Sequence, residues 1–243
     1  MIVHGHLGEV LRKLSAAVDR MGPNHSALYL LSRVLSRISA DRVRLIKYLI
    51  VAQPVGSGML QKIRPDRHTE IVQAAPQSDF AKYFPRPERV IRMRFESGAL
   101  CFSALVNNEF AGFIWLRANE YQEDEVRCTY VLQAPHTSVW DFDVYIEPKF
   151  RLSRTLARLW QAVDRHLKEQ GVNWTFSRIS AFNPESLAAH AKLGIVECYS
   201  AVFLLVGKLQ LSLLPQRPYV HLSLSDKRRP VLRLDPPSPR RRP

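Results

Sequence analysis

The sequence predicts a mixed α/β fold, a twisted sheet of parallel and antiparallel strands flanked by helices, with a helical extension at its N-terminus. Three observations predict it. A β-hairpin pattern at 99–116 is followed by strand and helix patterns that alternate to residue 206. Such alternation places helices against a sheet, and the hairpin makes that sheet mixed. The chain of 243 residues, 46% apolar and 23% charged, is long enough and apolar enough to bury a substantial core. Finally, the segment before residue 40 carries helical rather than strand periodicity.

Taken in order, Leu7, Val10, Leu11, Leu14 and Val18 fall at helical spacing with basic residues opposite, and Gly22-Pro23-Asn24 ends that pattern. A second helix carries Leu28, Leu31, Leu35 and Ile38 on one face. The two read as a helical hairpin over 1–40 that packs on its own domain, or, as a basic amphipathic pair, meets a membrane surface or partner. Leu45–Val51 is a β-rich apolar run bounded by Pro54 and Gly56-Ser57-Gly58, hence a strand. Pro85-Arg86-Pro87 suits the start of a helix through Val90, Met93 and Phe95. Ala99–Val106 and Phe110–Leu116 form a hairpin around Asn107-Asn108, because asparagine tolerates the positive φ of a tight turn.

A further strand is expected over Val126–Gln133. Val139–Ile146 alternates, which puts Trp140, Phe142, Val144 and Ile146 on one face and Asp141, Asp143 and Tyr145 on the other. A helix from about Ser153 to Gln170 buries Leu156, Leu159, Trp160, Val163 and Leu167 and stops at Gly171. Trp174–Ser180 is a strand. Pro184–Leu193 is a helix capped by Asn183 and followed by Gly194, and Val196–Val206 is a long strand. A last strand is expected at Tyr219–Leu224. The main domain spans 41–225, and the Pro- and Arg-rich segment 226–243 reads as a disordered basic tail.

The net charge of +13 favours acidic partners, yet no nucleic-acid motif is present and nucleic acid is not expected as a partner. Cys101, Cys128 and Cys198 lie far apart and without metal-ligand spacing, so they read as free thiols and no metal is expected. No run approaches the ~20 apolar residues of a membrane helix, and no signal-peptide pattern is visible, so the chain reads as soluble and cytoplasmic.

Two stretches carry chemistry. In VWDFDVYIEPKFRLSRTLARLW, residues 139–160, a strand leads through a basic loop into a helix. Unpaired N–H groups at a helix N-terminus attract phosphate, and Lys149, Arg151 and Arg154 add charge there. In NPESLAAHAKLGI, residues 183–195, Asn183 opens a short helix that carries His190. Taken together, these motifs resemble those of the GNAT (Gcn5-related N-acetyltransferase) superfamily. The resemblance covers about residues 45–206 in architecture and 139–195 in motif. It implies an N-acyltransferase that moves an acetyl or longer acyl group from acetyl-CoA or another acyl-CoA to a small-molecule or peptide amine. The donor would be held by the Arg151–Leu156 loop, including Ser153 and Thr155, by Asn183 and Ser186, and by strand N–H groups at Val144, Tyr145 or Ile146. Arg151 matches the first position of the family's phosphate loop, whereas Arg154 and Leu156 stand where the family has small residues. His190 falls where many members carry a tyrosine that protonates the leaving thiolate.

Asp141 and Asp143 are the candidate bases, with Asp143 favoured, Glu147 as a further candidate, and Tyr145 as a candidate acid; a carboxylate pair raises the pKa of one member. Alternatively both aspartates face solvent or pair with Arg178. Ser177, Arg178 and Ser180 could line the acceptor side. The basic surface and altered loop also suit an acyl carrier protein as donor, or a binding protein of GNAT type without turnover. A homodimer is left open.

Overall fold

The computed structural model describes residues 22–56, 60, 63–64 and 66–237. The helix expected over 6–21 lies outside the described residues. Helix α1 (Pro23–Ile38) starts with proline in its first turn and carries the expected second helix. It packs on strand β1 (Val43–Pro54), where the Ser32 hydroxyl donates to the Leu45 carbonyl at 2.8 Å.

Eight further strands join β1 in one sheet: β2 (Thr69–Ala74), β3 (Leu100–Val106), β4 (Glu109–Arg117), β7 (Ser138–Ile146), β8 (Trp174–Ser180), β9 (Val196–Val206), β10 (Leu209–Leu213) and β11 (Val220–Ser223). Their order is β11-β10-β9-β1-β8-β7-β4-β3-β2. The β3–β4 hairpin turns at Asn107 and Asn108, with φ of 50° and 64°, as the sequence predicts. All neighbouring pairs are antiparallel except β7–β8, which the helix α3 (Thr155–Glu169) connects. The first strand of the chain thus lies between the eighth and ninth. Its near-continuous apolar run makes sense there, because Leu49, Ile50, Val51 and Ala52 are buried on both faces of the sheet.

One face of the sheet carries α3, whose Leu159, Trp160, Val163 and Leu167 pack on Ile114, Leu116 and Ala104. Leu156, expected in that stripe, is exposed. The short helix α4 (Pro184–Ala191) leans on the same face at Ile179 and Ala181 through Leu187. The opposite face carries helix α2 (Glu88–Glu96) and a second sheet of three strands, in the order β12-β6-β5. That sheet is built from β5 (Glu120–Gln122), β6 (Thr129–Leu132) and β12 (Val231–Leu234). The single strand expected over 126–133 is therefore the central strand of this small sheet, shorter than predicted.

Two differences from expectation concern the C-terminal half. Strand β12 pairs in parallel with β6, and its Leu232 and Leu234 are fully buried beside Tyr130 and Trp140, so residues 226–237 are not a disordered tail. Residues 238–243 lie outside the described residues. Charge and proline dominate the composition of 226–243, and the two leucines that anchor it are too few to alter that average. The expected strand at 219–224 forms as β11, whereas β10 and β12, and earlier in the chain β2 and β5, were not expected.

Strand β7 holds the main irregularity. Trp115 of β4 stands opposite Phe142 and Phe113 opposite Tyr145, so three steps on β7 match two on β4. This one-residue bulge is centred at Asp143, whose φ is +49°. Gly112 permits the close approach nearby: a Cβ there would meet the Tyr145 carbonyl oxygen at 2.4 Å. The bulge reverses the alternation. Trp140, Phe142 and Tyr145 pack toward α2 and the small sheet, whereas Val144 and Ile146 pack toward α3. The sequence expectation that Asp141, Asp143 and Tyr145 share a face is thereby corrected.

Truncating Leu232→Ala is expected to cost about 2–5 kcal/mol in urea unfolding, because a fully buried side chain leaves a cavity. An unchanged midpoint would place the C-terminal strand outside the cooperative core.

Candidate functional site

Strands β7 and β8 pair only from Ser138/Trp174 to Trp140/Phe176. Beyond that point they part, and a cavity of about 420 Å³ opens between them. Its lining comes from both faces of the sheet. Asp141, Ser177, Ser186 and His190 contribute with α4 from one side, while Arg86, Arg94, Tyr121, Glu123 and Asp124 contribute from the other. The gap therefore runs through the sheet.

Asp141 is 3% exposed and sits where β7 leaves β8. Burial pushes its carboxyl up to about 7, and the nearby Thr175 and Ser177 hydroxyls, which favour the anion, only partly offset this. Asp143, two residues on, has a different environment. Arg86 donates from Nε to its Oδ2 at 2.9 Å and from Nη2 to its Oδ1, and Arg94 donates from Nη1 to Oδ2. The guanidinium of Arg94 also lies over the rings of Trp115 and Phe142, at 5.3 and 5.2 Å. Both oxygens of the favoured base are thus taken by cations, while the other aspartate is buried without one. Neither pairs with Arg178, which instead grips Glu123 through two 2.7 Å bonds.

Among the remaining predicted residues, Asn183 caps α4 by accepting the Ser186 N–H at 3.0 Å. His190 bonds the Ser186 carbonyl at 2.8 Å. A carbonyl only accepts, so Nδ1 carries the proton and Nε2 is left with a lone pair. Desolvation lowers the His190 pKa, more than that backbone bond raises it. Burial thus favours the neutral imidazole, with Nε2 as its available acceptor. Tyr145 stands outside the cavity lining with its ring 5.7 Å from Phe113, and burial foremost raises its pKa. Val144 lines the cavity, whereas Ile146 does not.

At the start of α3, Ser153 and Thr155 bond one another, and the Thr155 N–H donates to the Ser153 hydroxyl at 3.1 Å. The N–H groups of Leu156 and Ala157 have no acceptor among the described residues. Arg151 donates to the Ile146 carbonyl at 3.2 Å and so ties the loop to the end of β7. Lys149 pairs with Glu109, and Arg154 makes no ion pair among the described residues. Two free amides and one free guanidinium suit a phosphate group. Glycine's close backbone approach is missing from this loop.

A mixed sheet in which strand β7 leads through a basic loop to a helix N-terminus is what the resemblance of residues 139–195 implies. The fold is a large mixed sheet flanked by helices, consistent with the GNAT fold that the sequence resembles. No family model and no curated protein matches the sequence. Among solved structures, the chain is similar to a functionally unknown conserved protein from Staphylococcus epidermidis, at 10% identity over 71% of this chain and 66% of that one, with a TM-score of 0.47. A tandem GNAT protein from the clavulanic acid biosynthesis pathway is similar at 11% identity over 70% of this chain and 56% of that one, with a TM-score of 0.49. An aminoglycoside acetyltransferase from an uncultured soil metagenomic sample is similar at 15% identity, covering 53% and 88% of the two chains, with a TM-score of 0.38. This chain thus spans less than two thirds of the tandem protein. The likeness to the GNAT fold is one of strand order and of the parting of β7 and β8.

The sequence reading missed Glu123, the most buried charge in the site, because its partner Arg178 lies 55 positions away. It also missed Arg86 and Arg94, which read only as basic residues around a predicted helix. Among the described residues, no cluster suits a metal ion, and no helix is long and apolar enough to cross a membrane.

The raised Asp141 pKa has a stability consequence. The folded state holds its proton up to about pH 7, whereas the unfolded carboxyl releases it near 3.8. The unfolded state thus binds fewer protons between those values, and stability falls as pH rises through that window. Asp141→Asn should raise the melting temperature at pH 8, by at most about 4 kcal/mol of stability, with the gain shrinking toward pH 4. A gain equal at both pH values would show that Asp141 titrates normally.

Proposed function

We propose that this chain is an N-acyltransferase that takes its acyl group from a CoA thioester, acetyl-CoA in the simplest case, and passes it directly to an amine. The observation that carries the reading is the buried, cation-free Asp141 in the gap between β7 and β8. A carboxylate with a pKa near operating pH is suited to accept a proton there.

The donor's phosphates sit against the Leu156 and Ala157 amides and the Arg154 guanidinium. Its pantetheine arm enters the gap from the side of α3 and α4, past Ser186 and Asn183. Beyond Trp140 the β7 edge has no strand partner on its β8 side. Its N–H groups can therefore polarise the thioester carbonyl, an interaction that strengthens as charge develops on oxygen. The acceptor amine approaches from the side of α2 and the small sheet. Its nitrogen attacks the carbonyl carbon, its proton passes to Asp141, and the C–S bond breaks to release CoA thiolate. Neutral His190 accepts a hydrogen bond at Nε2 and helps to orient the reacting groups.

Acetyl-CoA should stabilise the protein against heat, by about 2.7 kcal/mol at a concentration near 100 Kd. Arg154→Ala should reduce that shift. Thiol release with an amine panel should rise with pH through about 7, and Asp141→Asn should abolish the rise. No thermal shift with any acyl-CoA would overturn the donor assignment. A shift seen only with acyl carrier protein would replace CoA with a protein-bound thioester.

A further inference from the structure

Asp143 combines two unusual features. It is a non-glycine residue at φ +49°, and it stands at the bulge where three steps on β7 face two on β4. Aspartate adopts positive φ more readily than most residues, but at a cost that the surroundings must offset. Here the offset is visible. Its side chain is 11% exposed, and both oxygens are held by guanidinium groups. Those groups come from one short segment. Arg86 lies just before α2 and Arg94 in its last turn. Arg94 is itself fixed, only 12% exposed, over Trp115 and Phe142, with Asp124 at 3.8 Å. The conformation of β7 at the bulge is therefore set by an ion cluster reaching in from α2.

We propose that Arg86, Asp143 and Arg94 form a positioning clamp that locks the β7 bulge in the geometry that aims the free N–H groups after Asp143 at the thioester carbonyl. This rests on the acyltransferase reading of the same gap. Asp143 is then a positioning residue and not the base. The clamp links the acceptor side of the gap to the donor side, since α2 forms part of the acceptor wall while β7 holds the carbonyl. It also explains why a carboxylate, and not glycine, occupies the positive-φ position. Glycine would remove the backbone cost but leave two arginines without an anion and the bulge free to shift.

The test compares Asp143→Asn and Asp143→Gly with the natural chain. Both replacements tolerate positive φ, so a loss cannot be assigned to backbone incompatibility. Amide hydrogen exchange over 141–146 is read against 100–106 in β3 as an internal reference. The clamp predicts faster exchange at 141–146 in both variants, by about tenfold or more, with the reference unchanged. Unaltered exchange at 141–146 overturns it. Should either variant fail to fold, Arg86→Gln, whose side chain is 36% exposed, tests the same contact more gently.

The second arm titrates acetyl-CoA by tryptophan fluorescence and follows thiol release. Donor Kd should stay within about twofold while turnover drops about a hundredfold, the scale expected for a small misplacement of reacting groups. A Kd that weakens in step with turnover overturns the positioning role. If the natural chain neither binds acetyl-CoA nor releases thiol, the acyltransferase reading fails and with it the carbonyl-aiming role, whereas the exchange arm still decides whether the clamp locks the bulge.

Discussion

The structure turns on a single interrupted pairing. Parallel strands β7 and β8 share a ladder for three residue pairs and then separate inside a sheet that continues on both sides. A gap in the middle of a sheet leaves backbone polar groups without partners, which is costly unless solvent or a ligand meets them. It persists because each strand is held on its other flank. Antiparallel β4 pairs with β7 along most of its length, and antiparallel β1 pairs with β8 along all of it. The long, doubly buried β1 therefore acts as a splint. Without it, β8 would have no partner over the stretch that lines the cavity.

Opening the sheet also brings charge into the core. Glu123 has a fully buried side chain, and Arg178 meets it with two hydrogen bonds while the Asp124 and Glu125 N–H groups also donate to its Oε1. Tyr48 lies under the same guanidinium at 4.4 Å and bonds Glu125. Asp143 follows the same rule with Arg86 and Arg94. Asp141 breaks it, and its carboxyl responds by retaining a proton to about pH 7. Buried charges that are fully paired support the frame, whereas one left unpaired in a gap is available for chemistry.

Much of the frame was legible because it is local. The Asn107-Asn108 turn, the stripe on α3 from Leu159 to Leu167 and the Asn183 cap are each encoded within a few residues, and each appears where the pattern placed it. The insertion of β1 between β8 and β9 was not legible, since no local pattern states which strands a buried run will join. The small sheet was hidden for a related reason. It joins β5 and β6 to a strand about a hundred positions later, and Leu232 and Leu234 carry little weight in an Arg- and Pro-rich stretch. Of the candidate site residues, Asp141, Asp143, Val144, Ser186 and His190 line one cavity, but their surroundings were not legible. Residues 141 and 143 were selected on type and spacing, and residue 190 on the resemblance. Their surroundings depend on burial and on partners such as Arg86 and Arg94, which the sequence does not place beside them.

The bulge shows how much one residue can redistribute. In an uninterrupted strand, residues two apart share a face, and Asp141 and Asp143 would then form a coupled carboxylate pair. The additional residue instead turns Asp143 toward α2 while Asp141 remains with β8 and α4. Two carboxylates adjacent in pattern thus come to occupy opposite electrostatic environments, one held between guanidiniums and one desolvated without a cation. Catalytic sites with two carboxyl groups generally assign their tasks by this kind of separation. Here the separation comes from a single bulge. It follows from the register of β7 on β4, which depends on Gly112 allowing the Tyr145 carbonyl to approach and on the arginines that hold Asp143 beyond the turn of the strand.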